Sequence, residues 1–288
     1  MKPLGTILFL VTLILAVAPL ATVAQPLTII DFPGAVHTVT IGINEDGDIA
    51  GRYVATDGRT HGFLLRAGVF TTIDVPGAIQ TNIAGINSHG DIAGRYVTPD
   101  MASHVFVLSG GVFTTIDFPG ATFTGGARSN NSGQIAGVYT LADGIRHGFL
   151  FDDSKFATIN YPGALGTQLF DINEQGTMVG HYLTSDGKAH GFELNRGDFT
   201  SIDVPGAVST GAINGVIGVN PRGEVVGCYT GVDTRHAFHV YKGQYTSFDV
   251  PDAVFTCFLG INAEGYIVGY FQDTNAKQHG FLVKRGMW

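Results

Sequence analysis

Apolar positions along the chain fall into short runs rich in β-branched and aromatic residues, broken by clusters of Gly, Asn, Asp and Pro. No window carries a helical period of useful length, so the pattern predicts strands joined by tight turns. One stretch shows it in full. Residues 80–87 are a mixed run, Ser88-His89-Gly90 a turn, 91–97 a second strand and 98–103 a loop. Residues 104–108 follow as a third strand, Ser109-Gly110-Gly111 as a turn and 112–117 as a fourth strand. The expected unit is a four-stranded antiparallel sheet.

That unit repeats. Thr72-Ile73-Asp74-Val75-Pro76-Gly77-Ala78 recurs around Pro33, Pro119, Pro162, Pro205 and Pro251, 43 residues apart except for one step of 46, which makes six copies. Fixed-period self-similarity means that each copy stacks on its neighbours. Asn44, Asn87, Asn130, Asn173, Asn220 and Asn262 each precede a glycine by three residues, the signature of a hairpin turn. The six prolines follow the fourth strand, where a missing N–H ends the ladder and sends the chain to the next unit. Gly51, Gly94, Gly137, Gly180, Gly227 and Gly269 lie inside the second strand, which implies close approach by a backbone or ring, as when sheets pack around an axis.

The ends of the repeat decide its closure. The sixth unit runs out after its third strand near 280–283, while residues 27–31 match the fourth strand 113–117 and have no unit before them. If the first strand completes the last sheet, a ring closes and no open end needs capping. The expectation is therefore an all-β chain: one six-bladed β-propeller over residues 25–288, of four-stranded antiparallel blades, the last blade closed by the N-terminal strand.

Residues 1–24 read as a secretory signal: Lys2, an apolar run from Leu4 to about Leu20, then Thr22-Val23-Ala24 before Gln25. This predicts a secreted or periplasmic protein with no membrane insertion after signal removal. Loss of Lys2 takes the formal charge from −8 to −9, an acidic balance that argues against nucleic-acid partners. Export permits a disulfide between the two cysteines, Cys228 and Cys257, which adjacent units can bring together; two buried thiols are the alternative.

At His236-Ala237-Phe238 and its variants His61-Gly62-Phe63, His147-Gly148-Phe149, His190-Gly191-Phe192 and His279-Gly280-Phe281, the chain resembles the HAF-repeat family of probable extracellular bacterial proteins. The second unit departs with His104-Val105-Phe106. The resemblance spans essentially the whole chain after the leader. It implies an exported repeat protein, commonly of unassigned activity, and brings no catalytic residues.

The six repeat histidines invite a metal reading, but residues placed once per blade lie on a wide circle, far beyond the roughly 2 Å of a shared ligand bond. Each is expected to bond locally, to a loop residue such as Asp57 for His61 or Asp186 for His190, or to the Asp ending a fourth strand. The turn Asn44-Glu45-Asp46-Gly47-Asp48 lacks the ligand spacing of a calcium loop. No metal and no cofactor are expected, and no G-x-S-x-G, H-E-x-x-H or G-x-x-x-x-G-K is present.

Chemistry is expected where the repeat breaks. Two residues before the turn Asn, four units carry Gly42, Gly85, Gly218 and Gly260, whereas the third and fourth carry Arg128 and Asp171. If the first strand lines the axis, these opposite charges face each other, either as a space-filling ion pair or as a polar site. Late in the second strand, Arg52, Arg95, Val138, His181, Cys228 and Tyr270 share one position, a variable ring able to read a ligand. The fifth unit adds four residues around Ser209-Thr210-Gly211-Ala212-Ile213-Asn214. The favoured function is a monomeric, non-catalytic binding propeller for a glycan or cell-surface partner, through Arg52, Arg95, Arg128, Asp171, His181 and Tyr270. The alternatives are a hydrolase or lyase acting on a polysaccharide or lactone through Arg128, Asp171 and His181, and a structural envelope protein.

Overall fold

A computed structural model describes residues 27–210 and 216–286. The expected leader and residues 211–214 of the fifth-unit insertion lie outside them. The described residues form six four-stranded antiparallel sheets arranged as a six-bladed β-propeller. The first blade contains His37–Ile43, Ile49–Val54, Thr60–Arg66 and Val69–Ile73, from the axis outward. The last contains Phe255–Ile261, Tyr266–Gln272 and Gln278–Lys284, and its outer strand is Thr28–Ile30 from the N-terminal end. Thr28 stands opposite Leu282, and Ile30 opposite Gly280.

The turn asparagines do more than form turns. In every blade the side-chain Oδ1 accepts from the N–H four residues on, as from Asp48 to Asn44 at 2.9 Å, which fixes the hairpin. The Nδ2 then donates to the carbonyl of the equivalent asparagine in the next blade, and Asn262 returns to Asn44 at 3.1 Å. Six buried amides thus make a closed ring of interblade bonds around the axis. Thr38, Thr81, Thr124, Thr167 and Thr256 at the other end of the first strands, and Thr210 ahead of the fifth blade's, have a common role: each hydroxyl accepts from the N–H of the residue before the crossing proline.

The core lies between blades. Phe63, Phe106, Phe149, Phe192, Phe238 and Phe281 are fully buried, one per blade, and their clusters mix residues of neighbouring blades, as where Val226 and Ala237 meet Phe258 and Phe281. Each such ring contributes about 2–3 kcal/mol by burial. The second-strand glycines meet the close backbone or ring that their position predicts, but within their own blade and not between blades. A Cβ on Gly51 would lie 2.8 Å from the ring of Phe63 in its own blade, and Gly94 and Gly137 face Phe106 and Phe149 in the same way. The approach between blades falls instead on the glycine of the His-Gly-Phe triplet, where a Cβ on Gly62 would meet Ile83 Cδ1 of the next blade at 2.8 Å.

The histidines bond to the residue that ends the fourth strand, not to Asp57 or Asp186. His61 Nδ1 lies 2.8 Å from Asp74 and His190 Nδ1 2.9 Å from Asp203, and His147 has Asn160 in that place. The fourth-strand partner lies across the ladder at fixed register, while Asp57 accepts from Arg59 N–H and Asp186 from the Thr184 hydroxyl and Lys188 N–H within their own loops. In the last two blades a loop carboxylate joins as a second partner, Asp233 for His236 and Asp273 for His279. His279 takes Asp31 from the N-terminal strand at 2.8 Å, so closure reproduces the side-chain bond as well as the ladder.

A plugged channel and its candidate ligand cavity

First strands line the axis, and the channel they form is divided by one side chain. Arg128 is buried; its Nη1 donates to Asp171 Oδ2 at 3.1 Å, and its Nη2 to the carbonyls of Leu259 at 2.8 Å and Ile41 at 3.4 Å, across the axis. The glycines at the equivalent positions make room for it: a Cβ on Gly85 would lie 3.0 Å from Arg128 Cγ. Asp171 Oδ2 also accepts from Val219 N–H at 3.0 Å, and Oδ1 from Ile172 N–H at 2.9 Å. Burial pushes its carboxyl above the ordinary range, while Arg128 and these N–H groups pull the other way. Both carboxylate oxygens are engaged, so the pair fills and fastens the axis.

On the turn side of this plug lies a small cavity of about 70 Å³, reached by Asn44, Asn87 and Asn173. On the other side, toward the face where the chain crosses between blades, lies one of about 190 Å³. Arg52, Arg95, Asn82, Phe170 and Tyr270 line it with apolar Ile83 and Leu259. Arg52 and Arg95 come from the same position in adjacent blades and are half-buried. Neither guanidinium has a hydrogen-bond or ion-pair partner among the described residues; Arg95 lies over the Phe123 ring at 5.9 Å. Burial pulls the Arg52 guanidinium below its ordinary value, Tyr270 opposes this, and the neighbouring Arg95 adds to it. Burial likewise lowers Arg95. Asn82, cross-strand from Arg95, has a buried Nδ2 with no hydrogen-bond partner among the described residues.

Of the residues singled out in the sequence, Arg52, Arg95, Arg128 and Tyr270 therefore share one cavity, and Asp171 lies on the far side of Arg128. His181 is elsewhere. It lines a separate cavity of about 450 Å³ between the third and fourth blades with Arg146, Gln168, Leu165 and Leu183. The structure does not assemble Arg128, Asp171 and His181 into one catalytic group. Asn82 and Phe170 were not singled out; the hairpin turn at Asn87 gives the register that sets Asn82 against Arg95, and a β-bulge between Ile83 and Gly85 shifts it beyond that pair. Cys228 and Cys257 are joined as a disulfide across the fifth and sixth blades, their Cα atoms 5.0 Å apart. The bridge links a second-strand residue to the next blade's first strand, the same relation that puts Arg95 Cδ beside Gly125.

His181 carries its own pH signature. Arg146 donates to Gln168 Oε1 at 2.7 Å, which turns the Gln168 amide nitrogen toward His181 Nε2 at 2.6 Å and leaves the ring proton on Nδ1. Burial, aided by the charge of Arg146, lowers the His181 pKa to about 4. The folded state thus resists a proton that the unfolded chain takes up near pH 6.5. Stability from this group is complete above that pH and is lost as pH falls toward 4, about 3 kcal/mol in all. In urea unfolding at pH 7 and pH 4, His181→Gln is expected to narrow the difference between the two pH values by about that amount. A variant that tracked the wild type at both would refute the assignment.

A six-bladed propeller with a plugged axis and a cavity at one mouth is the class that these features define. No family model matches the chain, and neither does any curated protein. Among solved structures, AofleA from Arthrobotrys oligospora is similar at a TM-score of 0.60 with 14% identity, over 88% of this chain and 85% of that one. A fungal lectin of Aleuria aurantia, described as a six-bladed β-propeller with a novel fucose recognition mode, matches at 0.54 with 14% identity, over 91% and 95%. The β-propeller domain of the trilobed protease from Pyrococcus furiosus, described as having an open velcro topology, matches at 0.55 with 8% identity, over 89% and 95%. At such identities the likeness establishes the fold.

Proposed function

We propose that the protein is an exported, non-catalytic binding propeller that takes a glycan in the cavity at the crossing-face mouth of its channel. The observation that carries this is hydrogen-bonding capacity that the fold leaves unused. Arg52, Arg95 and the Asn82 amide nitrogen converge on the cavity without hydrogen-bond partners among the described residues, beside the rings of Tyr270 and Phe170. Convergent donors next to aromatic faces suit a polyol, which offers hydroxyls around its edge and C–H groups on its face. The fucose recognition described for the Aleuria aurantia lectin, on the same fold, supports the reading. The disulfide supports export, since such bonds persist in oxidising compartments. The engaged oxygens of Asp171 favour binding over turnover.

The purified chain is expected to bind a subset of immobilised glycans, with Asn82→Ala and Arg95→Ala each weakening binding at least about tenfold, the loss of about 1.4 kcal/mol of contact. Absence of binding across a broad array, or binding untouched by both changes, would overturn the proposal.

A further inference from the structure

We propose that this cavity selects a sugar bearing a carboxylate, a terminal uronate, held between the guanidinium groups of Arg52 and Arg95. The inference rests on the glycan reading and sharpens it to one class of ligand. The chain is acidic overall, with a formal charge of −8, yet among the described residues no Asp or Glu lines the cavity. Of the three arginines there, Arg128 is neutralised by Asp171, and two cations remain uncompensated among largely apolar walls. Two like charges in a half-buried site repel each other, and an anion placed between them removes the conflict. Surroundings of low polarity strengthen that attraction relative to water.

Guanidinium geometry favours a carboxylate, because its planar fork donates two parallel N–H bonds to two coplanar oxygens. Two such forks from adjacent blades approach one carboxylate from two sides. Asn82 Nδ2 is then a donor for a ring hydroxyl beside the acid group. A volume of about 190 Å³ is below the roughly 300–1,000 Å³ of sites for drug-sized ligands, and fits one terminal residue better than a length of chain.

The test uses the full protein on an array of oligosaccharides ending in glucuronate or galacturonate, with their neutral glucose and galactose counterparts and 6-sulfated versions of these. Uronate ends are expected to bind at least tenfold tighter than neutral ones. Arg52→Gln and Arg95→Gln should each erase that preference while melting at or above the wild-type temperature, because each removes an uncompensated charge. Arg59→Gln, at an exposed loop, should change nothing. Equal binding of neutral and uronate ends would overturn the inference and leave the glycan reading standing. Preference for sulfate esters would overturn the carboxylate assignment. Binding to no member of the array would overturn the glycan reading itself.

Discussion

A chain lacking everything up to and including Asp31 is expected to melt at least about 10 °C below the intact protein. The strand Thr28–Ile30 supplies the outer edge of the last blade. Its loss removes buried Ile30, about 2 kcal/mol of apolar burial, and a three-residue ladder at about 1 kcal/mol for each bond. It also leaves His279 without Asp31 and uncovers the edge of Gln278–Lys284. The sum is about 5 kcal/mol or more, and in a domain of this size each kcal/mol moves the midpoint about 2–4 °C. Asp31→Ala should keep the strand and lose only the side-chain contacts to His279 and Lys277, for a fall of a few degrees. Calorimetry of the three proteins separates these contributions. Equal midpoints for the truncated and intact chains would mean that closure by the N-terminal strand adds nothing to the stability of the ring.

Closure was legible in the sequence because it needs only counting: a unit one strand short and a strand with no unit. The turns were legible for the same reason, since Asn and Gly act within four residues of each other. What could not be read locally was the partner of a repeated polar residue one blade away. Asn87 looks complete as a turn former, yet its Nδ2 bonds to the carbonyl of Asn130, 43 residues on. The six threonines, five of them at the start of a first strand, are equally regular, and their role depends on the chain folding back over a proline to bring a backbone N–H to the hydroxyl. The second-strand glycines show the opposite error. Packing around the axis suggests a neighbour across the blade interface, whereas the close atoms lie in the same sheet: the first-strand carbonyl across the ladder at Gly51, Gly94, Gly180 and Gly269, joined at Gly51 and Gly94, and led at Gly137, by the phenylalanine of the same repeat.

The site was half legible. The equivalence of Arg52, Arg95 and Tyr270 came directly from the alignment of repeats, and the break at Arg128 and Asp171 pointed to the axis. That Arg128 is consumed by Asp171 and two carbonyls, while Arg52 and Arg95 have no hydrogen-bond or ion-pair partner among the described residues, depends on side-chain reach across the channel, which spacing along the chain does not encode. His181 shares the register of the arginines but faces a different cavity because Gln168 and Arg146 hold it there.

Removal of the disulfide, as Cys228→Ala with Cys257→Ala, is expected to cost about 3–4 kcal/mol in urea unfolding. The two cysteines are 29 residues apart, and in the chain-entropy treatment a loop of that length restricts the unfolded state by about this amount. Both side chains are buried, Cys228 at 2% exposure and Cys257 at 0%, so paired alanines also forfeit some packing against Phe255 and Tyr270. The midpoint should fall by about 7–14 °C. Reduction without substitution keeps the sulfur atoms in place and isolates the crosslink. If the bridge acts through the unfolded chain, the reduced protein should lose most of the same stability while the slope of free energy against urea rises, because an uncrosslinked chain exposes more surface on unfolding. A reduced protein as stable as the oxidised one would show instead that packing between the fifth and sixth blades suffices to hold them, with the disulfide a passenger at an interface already fixed by the asparagine ring and the buried phenylalanines.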